Sequence, residues 1–163
     1  GSKSFSLNAR SATGAKLTYA SSNKNIARVD SKGKVRVTAV GKAVITVTAR
    51  ADGKYAVKKA KVTITVIPKT VGGIKVKAQS GRKCKVSWKK LSKVSGYQIR
   101  YSQKSSMKSS KMVKAVGAKK KNITLKKLKK KKKYYIQVRA FQRVSGKMYY
   151  GSWSRKKSVR IKP

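Results

Sequence analysis

Residues Leu128 to Ala140 read LKKKKKYYIQVRA, and the rest of the chain is organised around this stretch. From Tyr134 onward apolar residues fall on every second position, at Tyr134, Ile136, Val138 and Ala140. That is the period of a strand with one face buried and one face wet. The five lysines ahead of it cannot be buried, so they predict a solvated turn. Leu128 stands on the upstream side of that turn.

Working outward, the same alternation recurs in Cys84-x-Val86-x-Trp88, in Tyr97-x-Ile99-x-Tyr101 after Ser95-Gly96, and in Val159-x-Ile161. Strands are expected at 74–78, 83–89, 96–102, 111–116, 122–125, 133–142 and 147–162, the last broken near Gly151. Glycines 72, 73, 81, 96, 117 and 146 fall between these runs, as turn residues should. Toward the N-terminus the pattern continues with Phe5-x-Leu7, Leu17-x-Tyr19 and the alternating segments between Tyr19 and Ala49. Turn signals every eight to twelve residues mark an all-β chain. In Asp30-Ser31-Lys32-Gly33 the Asp side chain can cap the turn and Gly can take a positive φ. Gly41 precedes an apolar run, Ala43 to Ala49, expected to be buried. Pro68 lacks an amide donor and ends the strand before it. Two domains are therefore expected, residues 3–68 and 70–163. The linker Lys69 to Val71 is so short that the two are expected to stack end to end with little freedom.

Leu128, the six-residue step to Tyr134 and the alternation through Val138 and Ala140 resemble the E–F corner and F strand of a fibronectin type III domain. The resemblance makes Tyr134 the corner residue, its hydroxyl bonding back to upstream backbone, and Leu128 its packing partner. It also places Trp88 on the B strand, Tyr97 to Tyr101 on the C strand and Val159 to Ile161 on the last strand, covering about Thr70 to Pro163. The closest version is the lysine-rich one of surface proteins from Gram-positive anaerobes. That version carries Gly or Pro in the corner turn; here the turn is all lysine, which predicts a less sharply defined turn. In the first half, Ser21-Ser22-Asn23, Ile26-Ala27-x-Val29-x-x-x-Gly33-x-Val35 and Gly41-x-Ala43-x-Ile45-Thr46-Val47 resemble a group 2 bacterial Ig-like domain. That likeness runs from about Phe5 to Ile67, with the opening strand shortened or missing and one edge left open to pairing. The fold these resemblances imply is all-β, two immunoglobulin-like β-sandwiches in tandem.

Forty-six basic residues against two acidic ones give a net charge of +44 in 163 residues, where small domains carry a magnitude of about 2–8. A hydrophobic content of 39% with period-two patterning argues against a disordered polycation. The single cysteine, Cys84, alternates inward and reads as an inert core thiol without a disulfide partner. No run of eighteen apolar residues is present, so no transmembrane segment is expected. Gly1-Ser2 reads as a cloning remnant, which predicts a fragment of a longer protein.

Catalysis has few candidate groups. There is no histidine and no glutamate, and Asp30 and Asp52 lie in separate turn-like segments of the first domain. General acid–base work needs a group poised near neutral pH, and Cys84 has no histidine to activate it. One Cys and two Asp are too few for a metal site, and no cofactor is expected.

Anion binding is the better-supported class. Basic residues occupy outward strand positions, namely Lys75, Lys77, Lys83, Lys85, Arg100, Arg139, Arg160 and Lys162. They are densest in the loops, at Lys119, Lys120 and Lys121, at Lys126 and Lys127, and at Lys129, Lys130, Lys131, Lys132 and Lys133. Such a field attracts polyanions and releases their counterions. Teichoic acid, sulfated or sialylated glycans, nucleic acid and anionic lipid headgroups all qualify. Lysine outnumbers arginine and no aromatic base-stacking platform is visible, so nucleic acid is expected to bind only nonspecifically.

Gly151-Ser152-Trp153-Ser154 resembles a Trp-Ser element near the last strand of some fibronectin type III domains. The likeness carries Trp153 and Ser154 and implies that Trp153 stacks on Arg139. The alternative is an exposed cluster of Tyr149, Tyr150 and Trp153 that grips a sugar or a protein. The expectation is a non-enzymatic module, secreted or on the cell wall of a Gram-positive-like bacterium, adhering to polyanions. A structural spacer and a specific host-protein binder are the other two readings.

Overall fold

A computed structural model describes residues 4–50 and 53–163. The chain divides into two compact units, residues 1–66 and 67–163. Asp52 lies outside the described residues.

Unit 1 contains β1 (Ser4–Ser6), β2 (Leu17–Ser21), β3 (Ala27–Val29), β4 (Lys34–Val37), β5 (Gly41–Ala49) and β6 (Lys58–Val66). They form two three-stranded antiparallel sheets, ordered β1-β4-β3 and β2-β5-β6. The core between them is small: Ile26, Ala27, Val35, Ala43 and Ile45. The run from Ala43 to Ala49 is not continuously buried as its composition suggested. Within that run Ala43, Ile45 and Val47 are buried, and Val44 and Thr46 between them are half-covered. Its sheet packs on one side only, so alternation wins over composition. The edge strand β6 exposes Lys58, Lys59 and Lys61, charges that discourage pairing with another chain. Asp30 holds the β3–β4 turn, its Oδ1 accepting from the Lys32 and Lys34 amides at 2.9 Å each. Gly33 completes that turn at φ +75°.

Unit 2 contains β7 (Lys75–Gln79), β8 (Lys83–Ser87), β9 (Gly96–Ser102), β10 (Lys111–Val116), β11 (Asn122–Leu125), β12 (Lys133–Val144), β13 (Lys147–Tyr150) and β14 (Lys157–Arg160). One antiparallel sheet is ordered β11-β8-β7; the other runs β10-β9-β12-β13, with β14 also on β12. Strands β13 and β14 pair with opposite ends of β12, and residues 151–156 bridge the gap between them. The core is larger, built on Cys84, Val86, Trp88, Tyr97, Ile99 and Leu125 together with Ile136, Val138 and Ala140 of β12. Tyr97 is fully buried; its hydroxyl accepts from the Leu91 amide at 2.7 Å, and its ring centroid lies 5.1 Å from that of Trp88. Among the described residues, Trp88 Nε1 and Gln142 Oε1 are buried without a hydrogen-bond partner.

Candidate functional site

The corner comes first because it shapes the surface around it. Tyr134, the second residue of β12, is 7% exposed, and Leu128 beside it is 2% exposed. The Tyr134 hydroxyl accepts from the Lys129 amide at 3.1 Å and from Gln103 Nε2 at 3.0 Å. Leu128 is tied across to Arg82: its amide donates to the Arg82 carbonyl at 3.0 Å, and its carbonyl accepts from Arg82 Nε at 2.9 Å. The lysine turn itself departs from the loose turn that its missing Gly and Pro suggested. The Lys131 amide donates to the Ile161 carbonyl at 3.1 Å, and the Ile161 amide to the Lys132 carbonyl at 3.0 Å. Lys127 and Lys131 supply the left-handed backbone at φ 56° and 57°, a conformation that costs a non-glycine residue about 1–2 kcal/mol. Backbone pairing to the C-terminal strand holds the turn in place of a glycine.

A second constellation covers the outer face of the β9–β12 sheet. Residues 151–156 lie along β12 because the Gly151 amide donates to the Ala140 carbonyl and the Ser154 amide to the Val138 carbonyl, both at 2.9 Å. Ser154 Oγ accepts from the Val138 amide at 3.0 Å. This sets Trp153 between two guanidinium groups, Arg139 at 4.3 Å and Arg100 at 4.4 Å from the ring centroid. Arg139 also lies 4.2 Å from the Tyr150 ring, so four side chains alternate as ring, cation, ring, cation. Neutral amides hold both cations: Arg139 Nε donates to Gln98 Oε1 at 2.8 Å, and Arg100 Nη2 to Gln137 Oε1 at 2.7 Å. Burial lowers the pKa of Arg139, with Arg100 adding to the effect and Tyr150 opposing it. The sequence reading paired Trp153 with Arg139 alone; Arg100 and Tyr150 were missed because their places depend on cross-strand register. The Trp153 ring, between two cations, does not present the free apolar platform of the alternative reading.

Every lysine singled out in the loops is exposed: Lys119 to Lys121, Lys126, Lys127 and Lys129 to Lys133. Lys126, Lys127 and Lys129 line a cleft of about 590 Å³. Its opposite wall is the β9–β10 segment, which adds Lys104, Lys108 and Lys111. Tyr101 and Tyr134 also line it, their rings 6.3 Å apart. Lys119, Lys120, Lys121 and Lys130 to Lys133 are not among its lining residues. The signal in the sequence was the run QKSSMKSSK from Gln103 to Lys111, whose lysines are too widely spaced to register as a charge block. Burial, then the neighbouring Tyr134, raises the pKa of the Tyr101 hydroxyl, so it stays protonated at neutral pH. A smaller cleft in unit 1 mixes Arg28, Lys34 and Arg36 with the carboxylate of Asp30.

The groups needed for catalysis do not gather. Cys84 is fully buried and burial pushes its thiol above the ordinary value, leaving little thiolate. Among the described residues no three of His, Cys, Asp and Glu lie together, and no helix is long and apolar enough to cross a membrane.

These features place the chain in the class of immunoglobulin-like β-sandwich modules. Residues 68–156 match the fibronectin type III domain and residues 7–52 match the intimin, immunoglobulin-like domain. The first match covers more than half of the 163 residues, and the chain belongs to the fibronectin type III family. Among solved structures, it is similar to the chicken CNTN1 FN1-FN3 domains, at 22% identity and a TM-score of 0.51 over 81% of this chain and 46% of that one. The fn3 domain of human contactin 1 aligns at 21% identity and a TM-score of 0.47, over 56% of this chain and 76% of that one. Likeness at this identity shows the fold alone, and this chain spans less than half the length of the chicken structure. Comparison with curated proteins gave no match. Fibronectin type III and Ig-like domains are typically extracellular binding or structural modules without catalytic activity.

Proposed function

We propose that this chain is a non-enzymatic module of a secreted or wall-attached protein from a Gram-positive-like bacterium, holding anionic polymers by its lysine field. Its first unit is read as a group 2 bacterial Ig-like domain that carries the second. The polymers are wall teichoic acid or a host's sulfated or sialylated glycans. One observation carries the reading: residues 67–163 contain 32 basic residues and no acidic one. No side-chain carboxylate in that unit competes with an external anion for its ammonium groups. A field of this kind binds heparin, teichoic acid and DNA alike, and affinity falls steeply with salt as counterions are released. Replacing Lys129 to Lys133 with Ser and Gly should weaken all three by similar factors and flatten the salt slope. The measurement is affinity from 50 to 200 mM sodium chloride. If the chain binds none of the three at physiological ionic strength, adhesion is wrong and a structural spacer is the better reading.

A further inference from the structure

Within the lysine field, the cleft between the β9–β10 segment and the corner turn differs from the rest of the surface. It is concave, its volume of about 590 Å³ falls in the range of small-molecule sites, and six lysines line it. Its walls are tied together at one point, where Gln103 on one side donates to Tyr134 on the other. With the Gln103 amide so oriented, the Tyr134 oxygen accepts two hydrogen bonds and its own proton is left to donate. The Tyr101 hydroxyl makes no hydrogen bond to another side chain or the backbone among the described residues. The lining side chains thus supply positive charge and O–H donors, with no carboxylate to offer as a counter-group.

The cations are all lysine. An arginine fork matches the two coplanar oxygens of a carboxylate, whereas separate ammonium groups act as point charges from several directions. That arrangement suits an anion whose oxygens also point in several directions. We propose that this cleft is a discrete site for a tetrahedral oxyanion, a sulfate or phosphate ester, carried on a single sugar residue of an anionic glycopolymer. Lys104, Lys108, Lys111, Lys126, Lys127 and Lys129 surround the ester, and the Tyr101 and Tyr134 hydroxyls donate to its oxygens. The inference rests on the anion-binding reading above and assigns one place and one ligand chemistry to it.

The test titrates the full chain at physiological salt with N-acetylglucosamine 6-sulfate, N-acetylglucosamine 6-phosphate and glucuronate, and separately with heparin. Both esters should bind at least about tenfold more tightly than glucuronate, and the tighter of the two identifies the ester. Replacing Lys104, Lys108 and Lys126 by Gln should weaken ester binding by about tenfold or more. The same number of charges removed at Lys89, Lys90 and Lys147 should change it by less than about twofold, since exposed charges beyond a Debye length are screened. Tyr101→Phe, which keeps the ring and every charge, should weaken it by about twofold to tenfold, the value of one hydrogen bond. Melting curves check that each variant is folded. Equal affinity for glucuronate, or equal losses from the two triple variants, would overturn the site while heparin binding keeps the field reading intact. Failure to bind heparin overturns the field reading instead, whatever the esters do.

Discussion

The two units solve the same folding problem with different means. Unit 1 has 14 basic residues, the chain's two acids and a core cluster of five buried residues. Unit 2 has more than twice the basic residues and no acid, yet a core cluster of fourteen. Unit 1 holds its β3–β4 turn with a carboxylate and a glycine. Unit 2 has no carboxylate to use, so its cations find other acceptors. Arg100 and Arg139 bond to Gln amides, while Arg82, Lys156 and Arg160 bond to backbone carbonyls. Two of the arginines also lie on aromatic faces, where charge is stabilised without an anion. A sandwich can thus discard every acid if its core is large enough and its cations are offered neutral acceptors.

The largest test of this contrast is a core truncation in each unit. Ile45→Ala and Ile136→Ala remove the same group from fully buried sites, each costing about 2–5 kcal/mol. In unit 1 that loss should exceed what a small core can bear, and in unit 2 it should not. Both tryptophans lie in unit 2, so tryptophan fluorescence reports that unit and the loss of β signal in circular dichroism reports the whole. Ile45→Ala should lose β signal at room temperature with native fluorescence retained. A joint loss would show that the units unfold as one and would break the comparison.

A smaller effect is expected at the ladder. Trp153→Ala leaves Arg100 and Arg139 without the ring between them and should cost about 1–3 kcal/mol, read from the denaturant midpoint of the fluorescence of Trp88. A cost below about 0.5 kcal/mol would mean that the Gln amides alone hold the cations. The smallest effect is a change of sign between turns. A side chain at Gly33 would meet the Tyr19 ring at 2.9 Å and a φ of +75°, so Gly33→Ala should destabilise unit 1 by about 1–2 kcal/mol. Lys131 has the same hand of backbone with a side chain already present, and Lys131→Gly should stabilise unit 2 by about 0.5–1 kcal/mol. Calorimetric midpoints moving the same way in both would show that the lysine turn is not strained.

Strand periodicity made most of unit 2 legible in the sequence. The expected 83–89, 96–102, 111–116, 122–125 and 133–142 overlap β8 to β12 closely, because each strand buries one face and alternation records it. The corner was legible through the resemblance to a fibronectin type III domain, carried by the step from Leu128 to Tyr134 and the alternation after it. The ladder was legible only in part. Arg139 shares a strand with the corner, but Arg100 reaches Trp153 through the pairing of Gln137 with Arg100 across β12 and β9. The cleft was not legible at all. Its two walls are some twenty residues apart in sequence, and Lys104, Lys108 and Lys111 become a site only when the β9–β10 hairpin is set beside the corner turn. The densest charge block, Lys129 to Lys133, drew attention in the sequence, yet it contributes a single lysine to the cleft.

The absence of acids from unit 2 also governs what protons can do to it. Acid ordinarily unfolds proteins by protonating carboxylates that are bonded in the native state and by charging buried histidines. Residues 67–163 contain no Asp, Glu or His. Between neutrality and strong acid this unit has no carboxylate or imidazole side chain to take up a proton, and the amide and carbonyl acceptors that hold its cations are not titrated. Both side-chain carboxylates of the chain, Asp30 and Asp52, belong to unit 1.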